Sequence, residues 1–346
     1  MFATLICLAA ISQGQPLLHD TFEESTSSWL TLSPSYTVRK TTNALDVKSG
    51  NGALEFTYVY VEGEAPLLLR QVGDLTGAKG ISLWLKTSRA AYVVLALAEG
   101  ETGKGERYGV PVHIPANTWT KVEANLDDFA LFDDSPIDNR KLDLDKLAFF
   151  GVIEVLSTFV KGPTMEYLFG PRTGTNALWL DDFQVLPTKP ASGVFTGGNL
   201  IDGCNRGYVS WLPLLGMDLT PSSDGLRVRY ERMQARIYGM LRGVSPASIT
   251  AEKELALTVR CAQELRMIVG FEETDGEKWQ ATATFPGGNE TVDVVIPFDS
   301  LAPADDSGKA DGKFSPNKLK LLSLIDITEA EPGTVGEFVL KRVEAR

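Results

Sequence analysis

The sequence predicts an all-β protein made of two tandem antiparallel β-sandwiches. Short segments of alternating apolar and polar residues recur about every ten residues, separated by Gly, Asn, Asp and Pro. Amphipathic helical patterns are scarce, and strands without intervening helices favour antiparallel sheets packed as a sandwich or jelly roll. The same succession of segments occurs twice, in residues 50–186 and 224–346.

The duplication is visible in matching segments. Ile81–Thr87 matches Leu255–Cys261 at an offset of 174 residues, and Leu69-Arg70 matches Leu241-Arg242 at 172. In the closing segment Leu180 matches Leu340 at only 160 residues, because the stretch from Ser157 to Asn176 has no full counterpart. A period this long indicates duplicated domains rather than a solenoid. The extra stretch either borders a ligand site or is a surface insertion, which loops tolerate at low cost.

A chain of 346 residues predicts two domains of roughly 150 residues each. The apolar run Phe2–Ile11, followed by small residues, predicts a signal peptide over residues 1–15, although no Lys or Arg precedes Arg39. The alternative is a first strand. The proline-containing stretch Leu186–Gly193 predicts the linker. We therefore expect the first domain at residues 16–188 and the second at 189–346.

Charge restricts the possible partners. A net charge of −12 and a pI near 4.8 disfavour nucleic acid and anionic membranes, which attract clusters of Lys and Arg. No further apolar stretch is long enough for a membrane helix, so membrane insertion is not expected. Cys204 and Cys261 either form a disulfide in an oxidising compartment or remain two buried thiols.

A series of short motifs in the first repeat resembles a known family. The series comprises Asp20–Glu23 with Trp29, Gly50–Leu54, Ile81–Lys86, Asn117–Val122, Leu126–Phe129 and Leu178–Phe183. It resembles bacterial jelly-roll carbohydrate-binding modules of the galactose-binding-like superfamily, and the related domain of complex I intermediate-associated proteins. The resemblance covers nearly the whole first repeat and, more faintly, the second. It implies two antiparallel sheets, a polysaccharide ligand and a structural calcium ion; the same scaffold also hosts protein binders.

The resemblance implies calcium ligands at Glu23 and Asp181, and Asp20 of the same opening motif is a further candidate. Alternation along the closing strand places Asp181 with Trp179 and Phe183, toward the core, where a cation would offset the cost of burying a carboxylate. The alternative is that Asp181 accepts backbone hydrogen bonds at a strand end. The second repeat has Lys341-Arg342 in place of Asp181-Asp182, so at most one calcium ion is expected, with the lysine ammonium in its role.

Alternation also predicts a ligand-binding surface. In Ile81–Lys86 the residues Ser82, Trp84 and Lys86 point away from the core, and Tyr92 on the next strand is expected on the same outer face. Sugars stack on aromatic rings and bond to charged groups, which suggests a set of four residues: Trp84, Lys86, Tyr92 and Arg70. A loop or the other domain would remove this surface by covering Trp84. Trp29, Trp119 and Trp179 are expected in the core.

Sequence motifs for catalysis are lacking. His19 and His113 are expected to be structural, and no nucleophile elbow, HExxH or phosphate-binding loop occurs. The acidic pairs Asp127-Asp128 and Asp133-Asp134 are of the type used in glycoside hydrolysis, but such pairs are usually solvated. The expected protein is non-catalytic, is secreted to the periplasm, medium or cell surface, and binds a polysaccharide or cell-surface glycan. The alternatives are a cell-envelope interaction or structural protein without a sugar ligand, and a jelly-roll polysaccharide lyase or hydrolase.

Overall fold

The computed structural model describes residues 15–61, 63–101, 104–132, 134–159, 162–170, 173–191, 199–244, 249, 251–308 and 312–346. The predicted signal peptide, except Gln15, lies outside the described residues, as do Asp133 and part of the predicted linker. The predicted domain boundary falls between the last strand of the first half, which ends at Leu186, and the first strand of the second, which begins at Leu200.

The first half forms two antiparallel sheets of six strands each. Its strands are β1 (Leu18–Asp20), β2 (Trp29–Thr31), β3 (Thr37–Thr41), β4 (Ala53–Val59), β5 (Leu67–Gln71), β6 (Gly80–Thr87), β7 (Ala91–Glu99), β8 (Arg107–Ile114), β9 (Thr120–Asn125), β10 (Ala130–Leu131), β11 (Leu147–Glu154) and β12 (Thr175–Leu186). Sheet A has the order β3-β4-β12-β6-β9, with β1 beside β12. Sheet B has the order β10-β8-β7-β11-β5-β2.

The second half repeats this plan. Its strands are β13 (Leu200–Asp202), β14 (Leu212–Pro213), β15 (Met217–Ser222), β16 (Gly225–Glu231), β17 (Tyr238–Gly243), β18 (Glu254–Cys261), β19 (Leu265–Glu273), β20 (Lys278–Phe285), β21 (Thr291–Pro297), β22 (Ala302–Pro303), β23 (Leu319–Asp326) and β24 (Val335–Ala345). Sheet C has the order β15-β16-β24-β18-β21 with β13 beside β24, and sheet D has the order β14-β17-β23-β19-β20-β22. The predicted fold class, two tandem antiparallel sandwiches, is confirmed.

The extra stretch of the first half contains the two α-helices of the described residues, α1 (Leu156–Phe159) and α2 (Gly162–Phe169). No helix among these residues has the length and apolarity needed to cross a bilayer. Phe169 packs with Tyr92, Leu212 and Leu214 in an apolar cluster shared by the two halves. The insertion therefore contacts the second sandwich.

Each sandwich has its own core because alternate residues of its strands point between the sheets. On β6 the inward residues are Ile81, Leu83 and Leu85, as predicted from alternation. Trp29 lies in this core and is 4% exposed. Trp119 is half-buried and outside the core cluster, so its predicted core position is wrong.

A β-bulge interrupts the alternation of β12. The register with β6 shifts between Asp181 and Gln184, where Asp182 adopts φ 50°, a left-handed conformation. Leu178 and Leu180 point into the core before the bulge, and Phe183 points into it after the bulge. Asp181 and Trp179 therefore lie on the outer face of sheet A. The predicted inward direction of both side chains is wrong, because a bulge changes which face the following residues occupy.

A segment of the second half, residues 204–211, reaches into the first sandwich. Tyr208 belongs to the first core cluster and is 3% exposed. Arg206 donates from Nε and Nη2 to the two carboxylate oxygens of Asp128, at 3.0 and 2.8 Å, and both side chains are buried. The His113 N–H donates to the Val209 carbonyl at 2.7 Å. The two sandwiches are thus joined by buried contacts.

Candidate functional site

Two tryptophans lie beside a lysine on the outer face of sheet A. Across β6 and β12, Trp84 is opposite Asp181 and Lys86 is opposite Trp179. Trp84 and Trp179 are therefore diagonal neighbours, a spacing at which large side chains come within reach of one another. Both are half-buried. We call the surface formed by Trp84 and Trp179, with the buried Lys86 beside them, the tryptophan face.

The loop between β3 and β4 borders this face and supplies cations and acceptors. The Lys48 Nζ lies 4.2 Å from the centroid of the Trp84 ring, and the Lys86 Nζ lies 4.9 Å from that of Trp179. Lys86 also donates to the Leu45 carbonyl at 2.8 Å and to Asp46 at 2.9 Å. These bonds hold Lys86 in place. Lys48 is exposed and forms no ion pair with the described residues.

Charged groups surround the two rings. Arg39 bonds to Glu55 on the side of Trp179, and Lys121 pairs with Glu123 at 2.5 Å on the side of Trp84. Such a surface offers ring faces for the apolar C–H side of a sugar and polar groups for its hydroxyls. Sequence reasoning had assigned Trp179 to the core, because a bulge at a non-glycine residue leaves no clear signal. Lys48 gave no signal at all.

Tyr92 lies elsewhere. It is on β7 in sheet B, is 4% exposed, and donates to the Ser210 carbonyl of the second half at 2.8 Å. Burial raises its pKa to about 12. Its predicted position beside Trp84 is wrong, because successive strands β6 and β7 belong to different sheets and their outer faces point in opposite directions.

Arg70 is also separated from the tryptophan face. It lies on β5 opposite Trp29, and its Nε donates to the Asp20 carboxylate at 2.8 Å. The Trp29 Nε1 donates to the same carboxylate at 2.7 Å. Of the four predicted ligand-binding residues, the structure brings together Trp84 and Lys86 only.

The second repeat keeps a counterpart of this Asp–Arg pair. The Arg242 Nε lies 3.4 Å from the Asp202 carboxylate, and the Ser210 hydroxyl donates to that carboxylate. In both repeats the arginine Nη1 also donates to the carbonyl of the following residue. Its recurrence indicates that this pair belongs to the common framework, which removes Asp20 and Arg70 from the sites specific to the first repeat.

Glu23 and Asp181 converge on one loop segment. Asp181 is fully buried and accepts N–H bonds from Lys48 at 2.8 Å, Ser49 at 2.9 Å and Asp182 at 2.8 Å. Glu23 accepts the Asn51 N–H through both carboxylate oxygens, at 2.9 and 3.1 Å. Burial raises the pKa of Asp181 above its usual range, and its N–H donors act in the opposite direction. These contacts match the alternative in which Asp181 accepts backbone hydrogen bonds. Asp20, the third candidate ligand, bonds to Arg70 instead.

A side chain at Gly50 would collide with the Glu23 carboxylate, and φ there is +66°. Only glycine readily allows both this close approach and this conformation. In the second repeat the equivalent position of Asp181 is Lys341, whose Nζ lies 2.7 Å from Asp224. Asp224 also pairs with Arg260 at 2.5 Å. An ammonium–carboxylate pair therefore occupies this corner of the second sandwich.

The other residues considered for chemistry have structural contacts. His19 bonds to Asp182 at 2.7 Å, and His113 is buried against the second half. Asp128, predicted to be solvated, is instead buried with Arg206, while Asp127 is exposed and pairs with Lys189. Cys204 and Cys261 are separate buried thiols, and burial raises the pKa of each. Asp133 lies outside the described residues.

No protein-family model matches the chain, and no curated protein matches it. Among solved structures, the chain is similar to the family 11 carbohydrate-binding module of Clostridium thermocellum in complex with a β-1,3-1,4-mixed-linked tetrasaccharide, at 16% identity, over 48% of this chain and 92% of that one, with a TM-score of 0.37. It is also similar to a tandem of two family 22 modules from Paenibacillus barcinonensis, at 14% identity, over 98% of this chain and 99% of that one, with a TM-score of 0.34. At this identity and TM-score, neither likeness assigns a ligand to the chain.

Proposed function

We propose that this protein is a secreted, non-catalytic polysaccharide-binding protein whose first domain holds the glycan on the tryptophan face. The observation that carries the proposal is the side-by-side placement of Trp84 and Trp179, each partly exposed and each with a lysine ammonium at its ring. The exposed Lys48 can leave the Trp84 ring, so that a sugar takes its place and accepts a bond from the ammonium.

Retention on insoluble polysaccharides, followed by a glycan array, tests this proposal. We expect Trp84→Ala to lose about tenfold in affinity, since stacking on one ring contributes on the order of 1–2 kcal/mol. Phe149→Ala, which truncates a half-buried aromatic on the outer face of sheet B, is the matched control and should retain the glycan. Equal retention by the parent protein and Trp84→Ala would contradict the proposed site, and release of soluble sugars would contradict the non-catalytic assignment.

We also propose a structural calcium ion at Glu23 and Asp181. The support is that two carboxylates, one of them fully buried, converge on residues 48–51, where carbonyl oxygens can add to the oxygen-rich shell that calcium takes. Calcium at 100 times its dissociation constant should then add about 2.7 kcal/mol to the free energy of unfolding. Asp181→Asn should lower the calcium-dependent gain in stability by this amount, whereas Asp20→Asn should leave the gain unchanged. An unchanged melting temperature after chelation would refute the calcium site.

Secretion is proposed from the apolar segment at residues 1–15. Expression with the segment intact, followed by amino-terminal sequencing of exported protein, should find a start near residue 15 or 16. Retention in the cytoplasm with Met1 in place would count against export.

A cell-envelope protein-interaction role is the second candidate. It is favoured by the outer face of sheet B, where Val94, Phe149 and Ile153 are apolar and partly exposed. If no glycan is retained, Phe149→Ser should reduce crosslinking to envelope proteins while Trp84→Ala leaves it unchanged. The reverse order of effects would remove this candidate.

A further inference from the structure

A cluster of three acidic residues, two of them buried, lies at one end of the second sandwich. Glu273 ends β19, Glu277 precedes β20, and Asp275 lies in the turn between them. One carboxylate oxygen from each of the three lies within 4.8 Å of the others. Glu273 is fully buried, Glu277 is 5% exposed and Asp275 is exposed. Two buried carboxylates this close to a third create a concentration of negative charge.

One oxygen of this cluster has no protein partner in the described residues. The Glu273 Oε1 accepts the Ser315 N–H at 2.5 Å, but its Oε2 is buried and makes no hydrogen bond to any described residue. Burial raises the pKa of Glu273, which reflects the cost of ionising it there. A buried carboxylate oxygen without a donor costs free energy unless a cation or a proton meets it.

The first repeat has a matching pair of glutamates, and hydrogen-bond donors of the first domain meet both carboxylates. Glu99 and Glu106 flank the β7–β8 turn, and the Glu99 N–H donates to the Glu106 carbonyl, as the Glu273 N–H does to that of Glu277. The Glu99 carboxylate accepts the Asp143 N–H at 2.6 Å. Glu106 accepts two backbone N–H bonds from residues 138 and 140 and the Tyr108 hydroxyl at 2.8 Å. The pKa of Glu106 is lowered, because these bonds outweigh its burial.

The second repeat has no counterpart of the Tyr108 hydroxyl. Trp279 occupies the position of Tyr108 at the start of the strand, and its indole Nε1 donates to none of the described residues. The turn of the second repeat, which contains Gly276 at φ +90°, brings the Asp275 carboxylate within 4.8 Å of the two glutamates. Lys318 bonds to Asp275 at 2.7 Å at the exposed edge, so its ammonium offsets one of the three charges. The first repeat also has an acidic residue in its turn, Glu101, but that side chain is 76% exposed and pairs with Lys104.

We propose that Glu273, Asp275 and Glu277 bind a calcium ion in the second domain. Carboxylate oxygens are the ligands that hard divalent cations prefer, and the ion would contact the Glu273 oxygen that no described protein group meets. The two glutamates are almost wholly removed from water, which favours calcium over magnesium because magnesium retains several of its water ligands. This site is independent of Glu23 and Asp181, and it adds to the single calcium ion expected from the closing strands.

Calcium titration of the full chain by calorimetry, after chelation, tests the site in an Asp181→Asn background, which separates it from the site proposed in the first domain. One calcium ion per chain should bind, and the melting temperature should rise. Glu273→Gln keeps the shape and the Ser315 bond, and it should abolish both effects. Asp275→Asn, a change at an exposed position that leaves folding intact, should weaken binding by at least about tenfold. Glu99→Gln, the first-domain counterpart, should leave the isotherm unchanged.

Two results would overturn the proposal. One is the absence of calcium heat in the Asp181→Asn protein, with equal melting temperatures in calcium and chelator. The other is a proton in place of the ion. In that case Glu273→Gln binds calcium as its parent does. The parent's free energy of unfolding then falls as the pH rises from the ordinary glutamate pKa through the raised pKa of Glu273, with or without calcium. Asp275, Glu277 and Lys318 are the ionisable groups acting on Glu273 in that titration.

Terbium luminescence gives an independent readout. Trp279 lies two residues after Glu277 on the same side of the chain, close enough to transfer excitation to a lanthanide at the cluster. Terbium emission excited through tryptophan should fall strongly in Trp279→Phe while the calcium affinity stays the same. Emission unchanged by Trp279→Phe and by Glu273→Gln would place the ion elsewhere and refute the site.

Discussion

At the scale of single residues, the position of Arg70 separates framework from function. Its side chain is 18% exposed and pairs with Asp20, which is 16% exposed and also accepts the Trp29 indole bond. The counterpart pair Arg242–Asp202 is more deeply buried, at 4% and 1% exposure. Each arginine thus holds an early strand of its repeat against the second sheet of the sandwich, and neither is available to a ligand.

We expect Arg70→Ala to lower the free energy of unfolding by about 2–3 kcal/mol, because it leaves the largely buried Asp20 without its cation. Glycan retention by the folded fraction should not change. Urea unfolding measures the loss, and Arg227→Ala is the control: Arg227 and its partner Glu337 are 53% and 39% exposed, so the loss of this surface pair should be nearly neutral. Lost retention at full stability would show that Arg70 touches the ligand after all.

At the scale of elements, the bulge in β12 creates the candidate site. Without it, Trp179 and Phe183 would lie on the same face of sheet A, since residues four apart in a strand share a face. The extra residue at Asp181–Gln184 lets the strand present Trp179 and Asp181 outward and still bury Phe183. Asp182 holds the required left-handed conformation while its carboxylate bonds to His19 and Gln184.

Two substitutions at Asp182 test this account. Both Asp182→Gly and Asp182→Val remove the same carboxylate bonds, but only glycine adopts φ 50° without strain. We expect the valine variant to be less stable than the glycine variant by about 1–3 kcal/mol, since a β-branched residue is poorly tolerated there. Thermal unfolding of the pair gives the difference directly. Equal stability would mean that the bulge relaxes and that Trp179 is not fixed on the outer face.

Alternation and duplication sufficed to predict both sandwiches, because burying one side of every strand imposes a period of two on the sequence. The outward direction of Trp84 and Lys86 followed from the same rule. Trp179 was missed because one residue at positive φ reverses the rule locally, and an aspartate there is not a recognisable signal. Tyr92 was misplaced because sequence shows that two strands follow one another and not that the chain crosses between sheets.

At the scale of the whole molecule, the buried Asp128–Arg206 pair joins the sandwiches. Both side chains are almost completely buried, at 2% and 0% exposure, and the guanidinium makes two bonds to the carboxylate. Burial raises the pKa of Asp128 despite the opposing effect of Arg206. Removing the arginine would leave a carboxylate buried without its cation.

We expect Arg206→Ala to lower the free energy of unfolding by about 3–5 kcal/mol and to separate the unfolding of the two domains into two transitions. Calorimetric scanning would resolve them. Lys189→Ala is the control, because Lys189 pairs with the neighbouring Asp127 at the surface, with 53% and 69% exposure, and its loss should be nearly neutral. A single, unshifted transition in Arg206→Ala would show that the pair does not couple the domains.

The insertion of Tyr208 into the first core has a consequence for synthesis on the ribosome. Domains generally fold as units from the amino terminus while the chain emerges. The first sandwich has all its strands once Leu186 has emerged, but its core is not filled until Tyr208 follows. The core of the nascent first domain therefore stays incompletely packed until a residue of the second half has emerged. A chain ended by a stop codon at the predicted boundary would lack Tyr208, and its first core would remain incomplete.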